Sequence, residues 1–459
     1  MHAQSQLSLA EWDERYAELK RLGLQEPSYG GPISRHVAEG DLRLRRLKYD
    51  PSWAALNLWN FLLTEEDRLR TARQRGSKIV GTMKDLGTIP VMAYSLPNLV
   101  AFYPDGAWWI PCVMELSAGL LKVADDLGID DSFCPVRAML GAFVTEAHFP
   151  RPDLLVCSVG AVCDDFSAIA QRLPGLGHAV HWWEIPHRRE PDKDEKAVAL
   201  PGGAEAPSAQ VDFVRGELEG VRTQLETLAE STLDDTALSA GIAMANRIRR
   251  SLRELRHLVF TAPSSPLPAL ELLVAEILAI HVCSDRRETL RVLQDLLTEV
   301  RSRIESQEDE PDDGRIRVFW VNPVADLRAM NLFEACGGRL AGTDFLFAHA
   351  LDEIPEDLAP LDALARTALA DPMVGSGQQR AERICRDAQT FGAEAVLISR
   401  SPGASHCALE SSLIADTVSR ELDLPVVEIE VPPLCDAMLP TLQTRMEALV
   451  EVARARRKP

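Results

Sequence analysis

Three of the nine cysteines stand at positions where they could share one site. Cys134 precedes a proline at a predicted helix start, Cys163 follows the predicted strand 154–158, and Cys407 follows the predicted strand 395–399. Ligands collect at the carboxyl ends of parallel strands, and thiolates are the ligands that soft iron-sulfur centres need. Three cysteines on a cubane would leave one iron open for water or a substrate oxygen. We therefore predict a metal cluster at this place.

The spacing of these cysteines is not specific by itself. No C-x-x-C motif is present, and small apolar residues or unrelated thiols could occupy the same positions. The remaining cysteines favour structural roles or the border of a site. Core positions are predicted for Cys157, Cys283, Cys336 and Cys385, whereas Cys112 and Cys435 follow proline-containing turns that could border a site.

Two polar residues outside the cysteine set are candidates for catalysis. Glu115 lies at a predicted helix start, where it is either a carboxylate that favours the helix N-terminus or an acid near the site. Asn322 ends a predicted strand and either presents its amide to a ligand or simply stops the strand. No Walker-type phosphate loop is present, so we expect any ATP use to come from another polypeptide.

The elements around these residues predict an α/β fold with parallel sheets, because strands and helices alternate along much of the chain. Four segments are predicted: an N-terminal helical arm (1–75), a first α/β domain (76–210), a helical region (211–313) and a second α/β domain (314–459). Within them we predict strands at 78–83, 154–158, 178–186, 315–321, 339–343, 395–399 and 425–430. The polar stretch 188–210 is predicted to be a loop or linker.

Composition limits the classes of function. The chain has 459 residues and a formal net charge of -20, which argues against nucleic-acid binding because phosphate contacts need a basic face. The N-terminus shows no secretory signal, and no run of about 18 apolar residues predicts a membrane span. An odd number of scattered cysteines favours thiols or metal ligands over disulfides. We expect a cytoplasmic protein.

Several motifs in order resemble those of one family. They are Lys78-Ile79-Val80-Gly81-Thr82-Met83, Pro111 to Gly119, Cys134-Pro135, Pro152 to Val156 leading to Cys163-Asp164, Phe391 to Ile398 leading to Cys407, Leu424 to Glu430, and Thr444 to Ala448. Over roughly residues 76–459 the chain resembles the 2-hydroxyacyl-CoA dehydratase and benzoyl-CoA reductase family of iron-sulfur subunits. The order of the motifs, rather than any one of them, carries the resemblance.

The resemblance implies a cofactor, a fold and partners. It implies that Cys134, Cys163 and Cys407 ligate a [4Fe-4S] cluster, or half of a double-cubane cluster as in some relatives. It further implies two flavodoxin-like domains, an acyl-CoA substrate, a paralogous or identical partner subunit, and a separate ATP-hydrolysing activator that delivers single electrons. In the dehydratases that electron forms a ketyl radical of the thioester, and in the reductases electrons reduce an aromatic ring.

Two features differ from the family pattern, and they leave the substrate open. The segment 84–110 is longer than usual, and its aromatic residues Phe102, Tyr103, Trp108 and Trp109 slightly favour an aromatic acyl-CoA reductase. The arm 1–75 has no counterpart in the resemblance. Two further classes stay open at this point: a non-catalytic partner subunit, which would bind neither iron nor a CoA ester, and a two-domain small-molecule binding protein.

Overall fold

The computed structural model describes most of the chain. The described residues are 14, 17, 18, 21, 47–83, 87–105, 117–281, 284–306, 313–345, 351–404, 409–433 and 436–457. The start of the predicted N-terminal arm lies largely outside these residues. The predictions for Glu115, Cys112, Cys283, Cys407, Cys435, Trp108 and Trp109 lie wholly outside them.

The first half of the chain builds one parallel sheet. Its elements in chain order are α1 (Trp53–Leu63), α2 (Glu65–Gln74), β1 (Lys78–Met83), α3 (Ile89–Tyr94), β2 (Leu99–Phe102), α4 (Ser117–Asp126), α5 (Ala138–Thr145), β3 (Leu154–Gly160), α6 (Asp164–Arg172) and β4 (Val180–Ile185). The strands lie in the order β2-β1-β3-β4, and every pair is parallel. The strand order therefore reverses between β1 and β3.

A hairpin and four long helices follow. They are β5 (Ala197–Ala199), β6 (Glu205–Pro207), α7 (Ser208–Ala229), α8 (Asp235–Thr261), α9 (Ala269–His281) and α10 (Arg286–Ser306). The stretch 188–210 thus contains an antiparallel hairpin, and the prediction of a simple loop or linker was wrong there. Within the arm, α1 is almost entirely buried because it packs against α9 and α10.

The last part of the chain repeats the first topology. Its elements are β7 (Ile316–Val321), α11 (Arg328–Ala335), β8 (Gly338–Asp344), α12 (Pro360–Ala370), α13 (Gly377–Thr390), β9 (Ala395–Arg400), α14 (Ser411–Leu422), β10 (Val426–Glu430) and α15 (Leu439–Arg456). The sheet order β8-β7-β9-β10 is again parallel throughout, so the order reverses between β7 and β9. The prediction of an α/β fold with two parallel sheets is confirmed.

The helical region contacts both sheets. Helix α7 packs on β4 and α12, and α8 packs on α10 and β8. Leu218, Val221 and Leu225 repeat on one face of α7 and are fully buried, which is why the helical spacing of these apolar residues predicts the helix. In the described ranges, no helix is long and apolar enough to cross a bilayer.

Candidate metal centre

The reversal of strand order determines where each sheet has a crevice that could bind a ligand. In open parallel sheets, loops that leave neighbouring strands in opposite directions open a crevice at the carboxyl ends of the strands. Strand β3 borders this crevice in the first sheet and leads to Cys163, and β9 borders it in the second sheet and leads to the segment before Cys407. The sequence predicts a strand before each of these cysteines, and the structure shows that the two strands occupy equivalent positions in their sheets.

Cys163 and Cys134 both stand at the start of a helical element. Cys163 is the residue before α6, with an extended backbone, and Cys134 precedes the single helical turn Pro135–Arg137 that leads into α5. Proline suits the first position of this turn because a main-chain N–H at that position would have no partner within the helix, so nothing is lost by its absence. Both cysteines are half-buried. Their predicted local settings are confirmed.

One carboxylate joins these two cysteines. The main-chain N–H of Cys134 donates to Oδ1 of Asp165 over 3.2 Å, and Sγ of Cys163 lies 3.8 Å from Oδ2 of the same side chain. Asp165 is buried in the first turn of α6, where a negative charge also interacts favourably with the helix dipole. The structure therefore brings Cys134 and Cys163 to the same group.

The loop that carries Cys134 is held on a second side by Arg137. Its Nη1 donates to the carbonyl of Phe133 over 3.3 Å, and its Nε donates to Asp125 of α4 over 3.2 Å. Arg137 is itself buried. The guanidinium thus connects the cysteine loop to the preceding helix.

The segment that follows β9 reaches the same loop. Gly403 has a φ of 76°, and a Cβ built on it would lie 2.5 Å from the carbonyl carbon of Phe133 and 3.1 Å from the nitrogen of Cys134. The distance to Phe133 is closer than a real Cβ tolerates, so the two main chains approach there as only glycine allows. Cys407 itself lies outside the described residues, but the chain four residues before it touches the Cys134 loop.

The other predicted residues have different surroundings. Cys157 is buried inside β3, where burial raises the pKa of its thiol to about 12, which confirms its structural role. Cys385 is buried and Cys336 half-buried, and both contact core residues. Phe102 and Tyr103 are buried in the core, where Phe102 packs on Phe149 with ring centroids 5.1 Å apart.

The side chain of Asn322 makes hydrogen bonds inside the second sheet-bearing part of the chain. Its side chain is fully buried, its Nδ2 donates to the carbonyl of Ser399 over 2.9 Å, and its Oδ1 accepts from Nη2 of Arg380 over 2.7 Å. These contacts connect the ends of β7 and β9. They favour the alternative in which Asn322 ends the strand over the one in which its amide contacts a ligand.

Asp165 and Gly403 were not predicted as site residues. The sequence could have indicated Asp165. An acid two residues after a cysteine that precedes a helix lies in the first turn of that helix, close to the cysteine. Gly403 gives no comparable signal, since its contact joins parts of the chain that are far apart in sequence.

Cys134 and Cys163 have the side-chain chemistry that ligands of an iron-sulfur cluster need. Soft thiolate donors are what iron-sulfur centres require, and one carboxylate contacts both the main-chain N–H of Cys134 and the sulfur of Cys163. Among the described residues, no group of three or more His, Cys, Asp or Glu could hold a metal ion. The third predicted ligand, Cys407, is not among those residues.

The comparison with protein families decides the classification. The family model described as 2-hydroxyglutaryl-CoA dehydratase, D-component, matches residues 101–453. The chain belongs to this family. The matched range contains Cys134, Cys163 and Cys407, so the family assignment and the geometry of the crevice concern the same part of the molecule. The chain is therefore a 2-hydroxyacyl-CoA dehydratase-type enzyme component. A comparison with curated proteins found no match.

Proposed function

We propose that the chain is the iron-sulfur subunit of an enzyme that removes water from a 2-hydroxyacyl-CoA thioester. Cys134, Cys163 and Cys407 would hold a [4Fe-4S] cluster where the segments that follow β3 and β9 approach the Cys134 loop. The observation that supports this proposal best is the convergence of Cys134 and Cys163 on Asp165, with Gly403 packed against the Cys134 main chain.

The proposed net reaction is redox-neutral. The hydroxyl leaves C2 of the acyl group and a proton leaves C3, which gives a 2-enoyl thioester and one molecule of water. A bound cluster with three protein ligands supplies an open iron as a Lewis acid for the 2-hydroxyl and a place for a single electron. The chain's own contribution is to hold thiolates on two elements and to fix the Cys134 main chain through Asp165.

The proposal includes partners. Because no Walker-type loop is present in the sequence, a separate ATP-hydrolysing activator would deliver the electron. A paralogous or identical subunit would complete the complex, which we propose to be cytoplasmic. The substrate is proposed to be a 2-hydroxyacyl thioester rather than an aromatic one. Phe102 and Tyr103, which favoured an aromatic reductase in the sequence, are buried core residues.

The test is an iron and sulfide assay after anaerobic purification, with electron paramagnetic resonance of the reduced protein. The variants Cys134→Ser, Cys163→Ser and Cys407→Ser are compared with Cys157→Ser, the buried strand cysteine, as the matched control. We expect each of the first three to lose most of its iron and the control to keep it. Full retention in all three variants contradicts the ligand assignment.

Binding of a CoA ester separates the enzyme from a non-catalytic partner subunit. We expect the iron-loaded chain, with its partner subunit, activator and ATP, to bind a 2-hydroxyacyl-CoA and to release the enoyl product. A chain that binds neither iron nor the thioester would be a scaffold for a paralogue. The ratio of iron to protein distinguishes a single [4Fe-4S] cluster from a double-cubane cluster.

A further inference from the structure

Asp165 is placed to act on two cysteines at once. Its Oδ1 accepts the main-chain N–H of Cys134, and its Oδ2 faces Sγ of Cys163. The residue is buried, so solvent competes little for either oxygen. The two cysteines belong to different elements, separated by α5 and β3. A single side chain therefore connects the two loops.

The neighbouring acid shows how specific this placement is. Asp164 also lies in the first turn of α6, but its side chain is exposed. Both residues carry the same charge and the same relation to the helix dipole. Among the described residues, Asp165 contacts both cysteine loops, whereas the side chain of Asp164 is directed to solvent.

We propose that Asp165 is a positioning residue for the cluster, which fixes the Cys134 loop against Cys163 before iron is bound. This inference rests on the proposed function. A ligand set that is held in place by surrounding hydrogen bonds loses less conformational freedom when the metal binds. Asp165 also sets a negative charge beside a ligand sulfur, and charges and hydrogen bonds near the sulfurs influence the reduction potential of a cluster.

The first measurement needs no iron. Amide hydrogen exchange of the full-length apo-protein, followed by mass spectrometry, reports the hydrogen bond of the Cys134 N–H. We expect Asp165→Ala to speed exchange in the peptide that contains Cys134 at least tenfold. Asp165→Asn keeps an oxygen acceptor and should restore slow exchange, and Asp164→Ala should match the wild type.

The second measurement uses the iron-loaded protein. We expect a chelator to remove iron from Asp165→Ala at least fivefold faster than from the wild type or Asp164→Ala. Asp165→Asn should retain iron but show a higher reduction potential than Asp164→Asn, because it loses a negative charge next to the sulfur. Thermal unfolding of each apo-protein identifies a variant that has simply failed to fold, and Asp165→Asn then carries the test.

The outcomes separate the inference from the proposed function. Wild-type exchange at Cys134 in Asp165→Ala overturns the inference, as does an iron loss equal to that of Asp164→Ala. If the wild-type chain takes up no iron, the proposed function fails. The exchange data then still decide whether Asp165 fixes the Cys134 loop.

Discussion

The main chain of Gly403 lies against the peptide nitrogen of Cys134, and this contact brings the segment before Cys407 to the first cysteine loop. The two residues belong to the two sheet-bearing parts of the chain. Cys163 joins the same place through Asp165. The contact between Gly403 and the Cys134 loop is therefore a place at which a site shared by the two sheets can be tested by mutation.

We predict that Gly403→Ala weakens this contact. A side chain at a φ of 76° costs about 1–2 kcal/mol, and the clash of its Cβ with the Phe133 carbonyl adds about 1–3 kcal/mol. Gly128→Ala is the matched control, because Gly128 has a φ of 83° and open space around the added atom. Urea unfolding and iron retention are measured for both. Equal losses of stability in the two variants would show that the close approach is unimportant.

A second contact between the two halves of the chain centres on Arg188. Its backbone N–H donates to the carbonyl of Val374 over 2.9 Å, and its guanidinium donates to the carbonyl of Leu369 over 2.6 Å and to Gln379 over 2.8 Å. Burial lowers the pKa of this arginine, and Asp371 opposes the shift.

We predict that Arg188→Leu lowers the free energy of unfolding by about 2–4 kcal/mol, because it leaves buried carbonyl groups without their donor. The exposed neighbour Arg189, which pairs with Glu195 at the surface, provides the control Arg189→Leu with a smaller effect. Urea unfolding and limited proteolysis within 188–210 measure both. Unchanged stability in Arg188→Leu would show that other contacts hold this junction.

Much of the fold could be predicted from the sequence because several strands are short, largely buried apolar runs. The strands β1, β7 and β9 lie within one residue of their predicted bounds, since glycine, asparagine or polar residues flank each run. Strand β2 was missed because it has only four residues inside a stretch rich in proline and aromatic residues. The hairpin of β5 and β6 was missed for a related reason: each strand has three residues with mixed polarity.

The site was predictable only in part. The sequence predicts the positions of Cys134 and Cys163 before helices and the position of Cys157 inside a strand, whereas the role of the first two as cluster ligands is still a proposal. The contact of Gly403 with Cys134 could not be predicted from one sequence, because nothing local encodes a tertiary contact. The structural role of Asn322 depends in the same way on Arg380, which comes from a distant helix.

Glu271 predicts a pH dependence of stability. Glu271 is fully buried, and its Oε1 accepts from the N–H of Asp50 over 2.9 Å and from Nε1 of Trp59 over 3.1 Å. Burial, together with the charge of Asp50, raises the pKa of Glu271 to about 8. Between its ordinary pKa of 4.5 and about 8, the folded protein keeps a proton that the unfolded chain releases. The free energy of unfolding should therefore fall as the pH rises through this window.

The variant Glu271→Gln should flatten that dependence, because the amide resembles the protonated acid and keeps the oxygen acceptor. The exposed Glu305 on α10 provides the control Glu305→Gln. Urea unfolding at several pH values between 5 and 9, roughly the window in which the two states differ in bound protons, measures the slope. A slope in Glu271→Gln equal to that of the wild type would assign the dependence to other groups.

The final prediction concerns Arg380, whose guanidinium is almost fully buried at the carboxyl ends of the second sheet. It donates to Asp344 at the end of β8 over 2.9 Å, to Glu410 before α14 over 2.7 Å, and to Asn322 after β7 over 2.7 Å. Removing one member of a buried ion pair costs about 3–5 kcal/mol, because the remaining charges stay desolvated. We expect Arg380→Met to lose stability in this range.

Arg383→Met is the control, since Arg383 lies on the same helix and pairs with Asp352 over 2.8 Å at a partly exposed position. Its loss should be clearly smaller when both variants are unfolded in urea. Glu410 follows Cys407 by three positions, so Arg380→Met should also release iron faster than Arg383→Met does. If stability falls while iron release stays at the wild-type rate, the Arg380 network stabilises the sheet without contributing to the cluster site.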